Sequence, residues 1–296
     1  MKLLRIIPKL DIKGPNLIKG VGYEGNRVLG HAKYFSELYS KEGADEIFFH
    51  DTVASLYSRN NLLSVLKNSA TNVNIPITVS GGIKSISDIK KILRAGADKV
   101  AINSAAIKNL KFIKEASKKF GSQCIVGLIE AKMIKKNFYE PWYDYGRERS
   151  NKLLEQWFQQ LLDAGIGEIF ICSVDRDGTG LGFDTDLINI IMKISSVPVI
   201  VCSGAGSKED VLNLFKNYDC DGVGIGSIFH YNYIQKVKSK FMSYNLDKLR
   251  MGQQIDSGNI DFIKNGYGGY SDIQVNPISI QKLKKFLHKS KINIRL

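Results

Sequence analysis

A chain of 296 residues, 44% of them hydrophobic, is long enough for one large α/β domain or two small ones, and no run of eighteen apolar residues is present to span a membrane as a helix. Its formal charge of +13 suits an anionic partner, but the lysines are spread over helix-like stretches and the tail without an aromatic-basic motif, so a phosphorylated small molecule is expected and neither nucleic acid nor membrane. Cys124, Cys172, Cys202 and Cys220 match no disulfide framework or zinc spacing, and the chain runs from Met1-Lys2 straight into a strand pattern; a soluble, cytoplasmic protein with reduced cysteines and no metal or cofactor is expected.

The first strand pattern, Arg5 to Asp11, is mostly apolar but charged at both ends, with Lys9 between. At a period of two, Arg5, Ile7, Lys9 and Asp11 share one face, and at ~3.3 Å per residue its cationic foot and acidic head stand roughly 20 Å apart. Further strand-like runs follow at 45–51, 76–80, 98–103, 123–130, 167–174, 197–202 and 221–226. Amphipathic stretches separate them, at 32–41, 87–95, 109–120, 153–164 and 208–216. Eight strands alternating with helices predict a parallel sheet closed into a (β/α)8 barrel. From 245 to 278 helical periodicity is lost and glycines accumulate, which reads as an irregular insertion before a last helix at 279–288.

The chain repeats itself across its two halves. Leu10-Asp11-Ile12-Lys13 matches Ile129-Glu130-Ala131-Lys132, and the segment ending Ser80-Gly81-Gly82 echoes the one ending Cys202-Ser203-Gly204. Likewise Asn103-Ser104 corresponds to Gly226-Ser227. Two similar half-barrels place equivalent sites on opposite sides of one mouth. Asp11 and Glu130, at the ends of the first and fifth predicted strands, then face each other as an acid/base pair. Gly82, Asn103 and Ser104 on one side, and Gly204, Gly226 and Ser227 on the other, form two phosphate cradles, because strand-end glycines let backbone N–H groups approach a phosphate. A long substrate with a phosphate at each end fits that spacing. At the opposite end Arg5, Glu46, Lys99 and Glu168 stand near strand starts and can close a charge-neutral ring.

The segments LDIKG, DTVAS, SGGIKS, GADKVAINSAA, FGSQCIV, GEIFICSVDRDGTG and SGAGS, with the closing NIRL, resemble the HisF family, the cyclase subunit of imidazole glycerol phosphate synthase. The likeness covers residues 1 to about 240 and the last few, and leaves the insertion without a counterpart. The family implies a barrel with a glutaminase subunit of the HisH type docked on its N-terminal face, and ammonia passing the charged ring to the mouth. There it converts the two-phosphate ribonucleotide PRFAR to imidazole glycerol phosphate and AICAR. Arg5, Glu46, Lys99 and Glu168 fall on its gate positions, Asp11 on a catalytic acid, and Gly82, Asn103, Asp177, Gly178, Gly204 and Ser227 on or beside substrate positions.

Three positions depart from the family pattern: Glu130 stands for an aspartate, Lys9 for a common cysteine and Val53 for a threonine. An added methylene moves a carboxylate by about 1 Å, enough to cost on the order of 100-fold if nothing compensates. An ammonium beside Asp11 favours its ionised form. The intact delivery route with an altered acid/base pair leaves three readings: the histidine-pathway cyclase, a divergent paralogue that delivers ammonia for an amidino group on a surface-glycan sugar precursor, and an inactive scaffold activating its glutaminase. A related two-acid sugar-phosphate isomerase of histidine synthesis has no need for the ring.

Overall fold

The computed structural model describes residues 2–54, 61–241 and 274–296. Eight parallel strands close the sheet: β1 (Arg5–Lys13), β4 (Ile47–Asp51), β5 (Ile77–Ser80), β6 (Lys99–Ile102), β7 (Ile125–Lys135), β10 (Glu168–Ser173), β11 (Val199–Cys202) and β12 (Gly222–Ile225). Each pairs with the next, and β12 returns to β1 through Arg5↔Gly222, which makes the (β/α)8 barrel expected from the alternation.

Helices wrap the outside, and the sequence fixes where several begin. Ser85, Asp184 and Ser279 each accept a backbone N–H of the first turn, and Ser207 with Asp210 forms a capping box. The helix Leu154–Asp163 turns Leu154, Trp157, Phe158 and Leu161 inward at spacings of three and four, onto the outward side chains of the strands. Among the described residues no helix is long and apolar enough to cross a membrane.

The opposite parity of the strands fills the barrel itself. Ile7, Phe48, Ala101, Leu128, Phe170 and Ile200 form a separate inner apolar cluster, with Phe48 stacked on Phe170 at 4.1 Å between ring centroids. Cys172 and Cys202 belong to the same cluster, and Lys9 and His50 continue the inward rows of β1 and β4.

Two features were not expected. After β1 the chain forms an antiparallel hairpin of β2 (Asn16–Val21) and β3 (Glu24–His31), and after β7 a second excursion of β8 (Phe138–Tyr143) and β9 (Glu148–Arg149). Asp11 and Glu130 are therefore not strand ends. β1 runs on to Lys13 and β7 to Lys135, because the hairpins supply antiparallel partners that extend both. The two excursions leave from equivalent places in the repeat, so the mouth carries a hairpin from each half.

The expected insertion at 245–278 falls almost wholly outside the described residues. Its last residues are described: Gln274 and Asn276 N–H donate to Thr179 O (3.2 Å) and Gly206 O (2.7 Å), which ties this stretch to the loops after β10 and β11. The chain closes with the bridge Leu4↔Ile294 beside the foot of β1.

Candidate active site

At the foot of the barrel the four expected charges meet in one ring. Arg5 Nη1 lies 3.2 Å from both Glu46 Oε2 and Glu168 Oε2, and Lys99 Nζ lies 2.8 and 3.0 Å from the same two atoms. Each carboxylate oxygen thus bridges two cations, and Thr78 Oγ1 donates to the second oxygen of Glu46 at 2.5 Å. Such closure satisfies groups that would be costly to bury singly.

At the other end Asp11 and Glu130 are 2% and 1% exposed, on inward positions of β1 and β7. Lys9 Nζ donates to Asp11 Oδ1, and Lys19 Nζ, from the first hairpin, donates to Asp177 Oδ1 while standing 4.0 Å from Asp11 Oδ2. Ser203 Oγ completes the chain with a 3.2 Å bond to Asp177 Oδ2. Burial alone would push the Asp11 carboxyl up, but Lys9, with His50 and Lys19 behind it, overrides burial and holds it well below the usual range. The same pairing keeps the buried Lys9 ammonium charged, against desolvation.

Glu130 has different surroundings. Burial raises its carboxyl, opposed by His50, by the Gly146 N–H that donates to Oε2 at 2.9 Å and by Lys9. Asn103 Nδ2 donates to the same oxygen (3.1 Å) and to Trp142 O (3.0 Å). One acid is thus held as the anion and the other is biased toward its protonated form. Paired carboxylates with values pushed apart are suited to opposite halves of a proton exchange.

His50 occupies the gap between them. Its Nδ1 is 3.4 Å from Asp11 Oδ1, and its Nε2 is 3.8 Å from Glu130 Oε1.

Two cavities flank the acids. The larger, about 260 Å³, is lined by His50, Gly82, Asn103, Ser104 and Glu130. The smaller, about 20 Å³, is lined by Asp11, Lys19, Asp177, Gly178, Gly204 and Ser227, with Gly226 beside them. A side chain at Gly178 or Gly204 is impossible without backbone movement, since a Cβ there would sit 2.3 Å from Gly20 O or 2.2 Å from Gly182 O. Every residue expected at the mouth therefore gathers around one of two adjoining spaces, each next to one acid. Val53 lies in the loop after β4, where its N–H donates to Asp51 Oδ1 at 3.0 Å.

Over the acids the two hairpins meet. Tyr23 and Tyr145 stack with centroids 4.4 Å apart and planes 13° from parallel; both are buried, and Val174 completes their cluster. Lys9 Nζ lies 5.3 Å from the centroid of the Tyr23 ring, and Tyr145 meets His50 edge-on at 5.5 Å. Beneath β1, His230 Nε2 donates to Lys9 O (3.0 Å) and Nδ1 accepts from Tyr39 OH (2.5 Å), a pattern only one neutral tautomer satisfies. Burial accordingly pushes the His230 value down to about 3.

Lys19, His50, Tyr23 and Tyr145 were missed by sequence reasoning. His50 had a signal: it continues the inward row Glu46, Phe48, and lies level with Asp11 across the β1–β4 pair. Lys19 and the tyrosines had none without the hairpins.

The family model for histidine biosynthesis proteins matches residues 5–235. The chain is 48% identical over 210 residues to the imidazole glycerol phosphate synthase subunit HisF of Legionella pneumophila, covering 71% of this chain and 99% of that one. The HisF subunit of Natranaerobius thermophilus is 41% identical over 230 residues (78% and 91%), and that of Bacillus cereus 39% over 245 (82% and 97%). With its barrel, its internal repeat and these likenesses, the chain belongs to the histidine biosynthesis protein family and, within it, to the HisF subunits of imidazole glycerol phosphate synthase.

Proposed function

We propose that the chain condenses ammonia with PRFAR, giving imidazole glycerol phosphate and AICAR, and that a glutaminase subunit of the HisH type docked at the N-terminal face supplies the ammonia. The observation that carries this reading is the placement of Asp11 and Glu130 on opposite walls, each beside its own glycine-lined cavity. A substrate with a phosphate at each end spans both cavities and lays its reacting centre between the acids. Glu130, biased toward protonation, donates to the departing oxygen, and Asp11, held as the anion, accepts a proton from the incoming nitrogen.

The ring of Arg5, Glu46, Lys99 and Glu168 serves as the entry. It turns back free ions, while the apolar interior around Phe48 and Phe170 admits ammonia and rejects ammonium, whose desolvation is unpaid there. Lys9 and Val53 adjust the mouth, and Gln274 and Asn276 brace the loops that carry Gly178 and Gly204.

The test is turnover of PRFAR by the complex with glutamine and, separately, by the chain with ammonium salt. Asp11→Asn is expected to abolish both by at least ~100-fold. The buried Lys9–Asp11 pair favours a second reading, ammonia delivery to a sugar precursor for amidino-group formation. Wild-type protein inert to PRFAR with either nitrogen source would overturn the first reading in favour of the second.

A further inference from the structure

His50 is 5% exposed, faces into the barrel from β4 and lines the larger cavity. Its ring nitrogens address one acid each, Nδ1 toward Asp11 at 3.4 Å and Nε2 toward Glu130 at 3.8 Å. Neither contact is a formed hydrogen bond, and among the described residues Nδ1 has no hydrogen-bond partner. A ring displacement of under about 1 Å would close either one. A histidine with only a packing role would satisfy a buried nitrogen, as His230 does with both of its own.

Among the described residues the charged and titratable groups that face it are Asp11 on β1, Glu130 on β7, Tyr145 beyond β8 and Asp51 next along its own strand, with Lys9 and Lys19 paired to Asp11 behind it. In the half-barrel repeat its counterpart is Cys172, so the second half has no equivalent ring.

We propose that His50 relays the proton from Asp11 back to Glu130 after each turnover, resetting the two carboxylates beneath the Tyr23–Tyr145 stack. The inference rests on the proposed cyclase reading. In that reaction Glu130 ends without its proton and Asp11 ends with one. Asp11 releases the proton to Nδ1, making an imidazolium, and the Nε2 proton passes to Glu130. No electron pair changes owner beyond the O–H and N–H bonds, and no co-reactant is consumed. The ring regains its first tautomer by exchange with water admitted when the product leaves. The relay lets an ionised, lysine-paired Asp11 act as a base without retaining the proton, which offsets the altered acid pair.

The experiment uses the glutaminase complex and, in parallel, the chain with ammonium salt at constant free ammonia. His50→Gln keeps a polar group of similar reach but cannot pass a proton from one nitrogen to another, and His50→Leu keeps volume alone. Both are expected to lower kcat for PRFAR by ~100-fold, with KM within about threefold of wild type. A kcat within threefold of wild type in either variant, with unchanged thermal midpoints, overturns the relay. ¹⁵N NMR of the imidazole at fixed pH in the full chain gives a readout independent of turnover. Asp11→Asn should move the resonance of Nδ1 and Glu130→Gln that of Nε2, since each nitrogen faces the acid replaced. Were wild type inert to PRFAR, the cyclase reading would fail while these spectra still decided the bridge: a moved resonance of the facing nitrogen in both variants supports it, and unchanged nitrogen resonances in either overturn it.

Discussion

Tyr23 and Tyr145, one from each half of the repeat, stack face to face 4.4 Å apart directly over the acids. The two hairpins thus meet over the mouth through this stack, beside which Tyr145 OH lies 3.4 Å from Asn26 Oδ1. Removing the stack with Tyr145→Ala should cost about 0.5–1.5 kcal/mol beyond the lost apolar burial. The loss would appear as a lower urea midpoint. Faster hydrogen exchange at the Gly146 amide, which donates to Glu130 beside the stack, is expected alongside it.

Lys9 and Asp11 are both 97% or more buried, so their pairing carries little solvent screening. Lys9→Met leaves Asp11 buried with, among the described residues, only His50 and the more distant Lys19, and is expected to destabilise the fold by about 3–5 kcal/mol near neutral pH. The sign with pH follows from the two carboxyl values. In wild type Asp11 is depressed, so its contribution is complete above the ordinary value of 3.8 and fades as pH falls through the native one. Without Lys9, burial raises that value and ionisation becomes unfavourable as pH rises. The stability gap should therefore be widest at pH 7–8 and shrink on acidification, measured by denaturant unfolding across the range.

Glu130 should behave in the opposite way. Its native value is raised by burial above the ordinary 4.5, so its contribution is complete below that value and is lost as pH rises through the native one. Glu130→Gln removes the ionisable group while keeping an acceptor for Asn103 or Gly146. Equal stability at pH 4 and a more stable variant at pH 8 are expected, together with loss of PRFAR turnover.

At the foot of the barrel Lys99→Ala leaves Glu46 and Glu168 sharing Arg5 alone. A cost of about 1–3 kcal/mol is expected, below the fully buried figure because this ring is partly exposed to solvent. Turnover with glutamine should fall further than turnover with ammonium salt, since free ammonia has other ways into the mouth. Equal losses in the two assays would count against a gate.

The eight strands were legible because each is an apolar run of the right length between helical periods, and the repeat ordered them without reference to any contact. The ring was legible for a related reason: Arg5, Glu46, Lys99 and Glu168 share parity and level at strand starts, which the register preserves. The hairpins were not. Residues 16–31 and 138–149 alternate weakly, and antiparallel pairing with the ends of β1 and β7 is a tertiary choice. Lys19 lies on one hairpin and Tyr145 beyond β8 on the other, so what depended on them was hidden too. The ion chain Lys9–Asp11–Lys19–Asp177 joins residues up to 168 positions apart, a closeness that only the closed barrel creates.

The repeat has one more consequence. Aligned halves set Lys9 against Leu128 and His50 against Cys172, so the barrel's two-fold likeness holds for the backbone while its chemistry has drifted apart. A mouth with identical halves would be degenerate: a ligand with similar ends could lie in it either way round, and half of the encounters would present the wrong atom to each acid. With a buried ammonium on one wall and leucine at the matching place on the other, the two orientations no longer have equal energy. The departure from symmetry gives the site a direction.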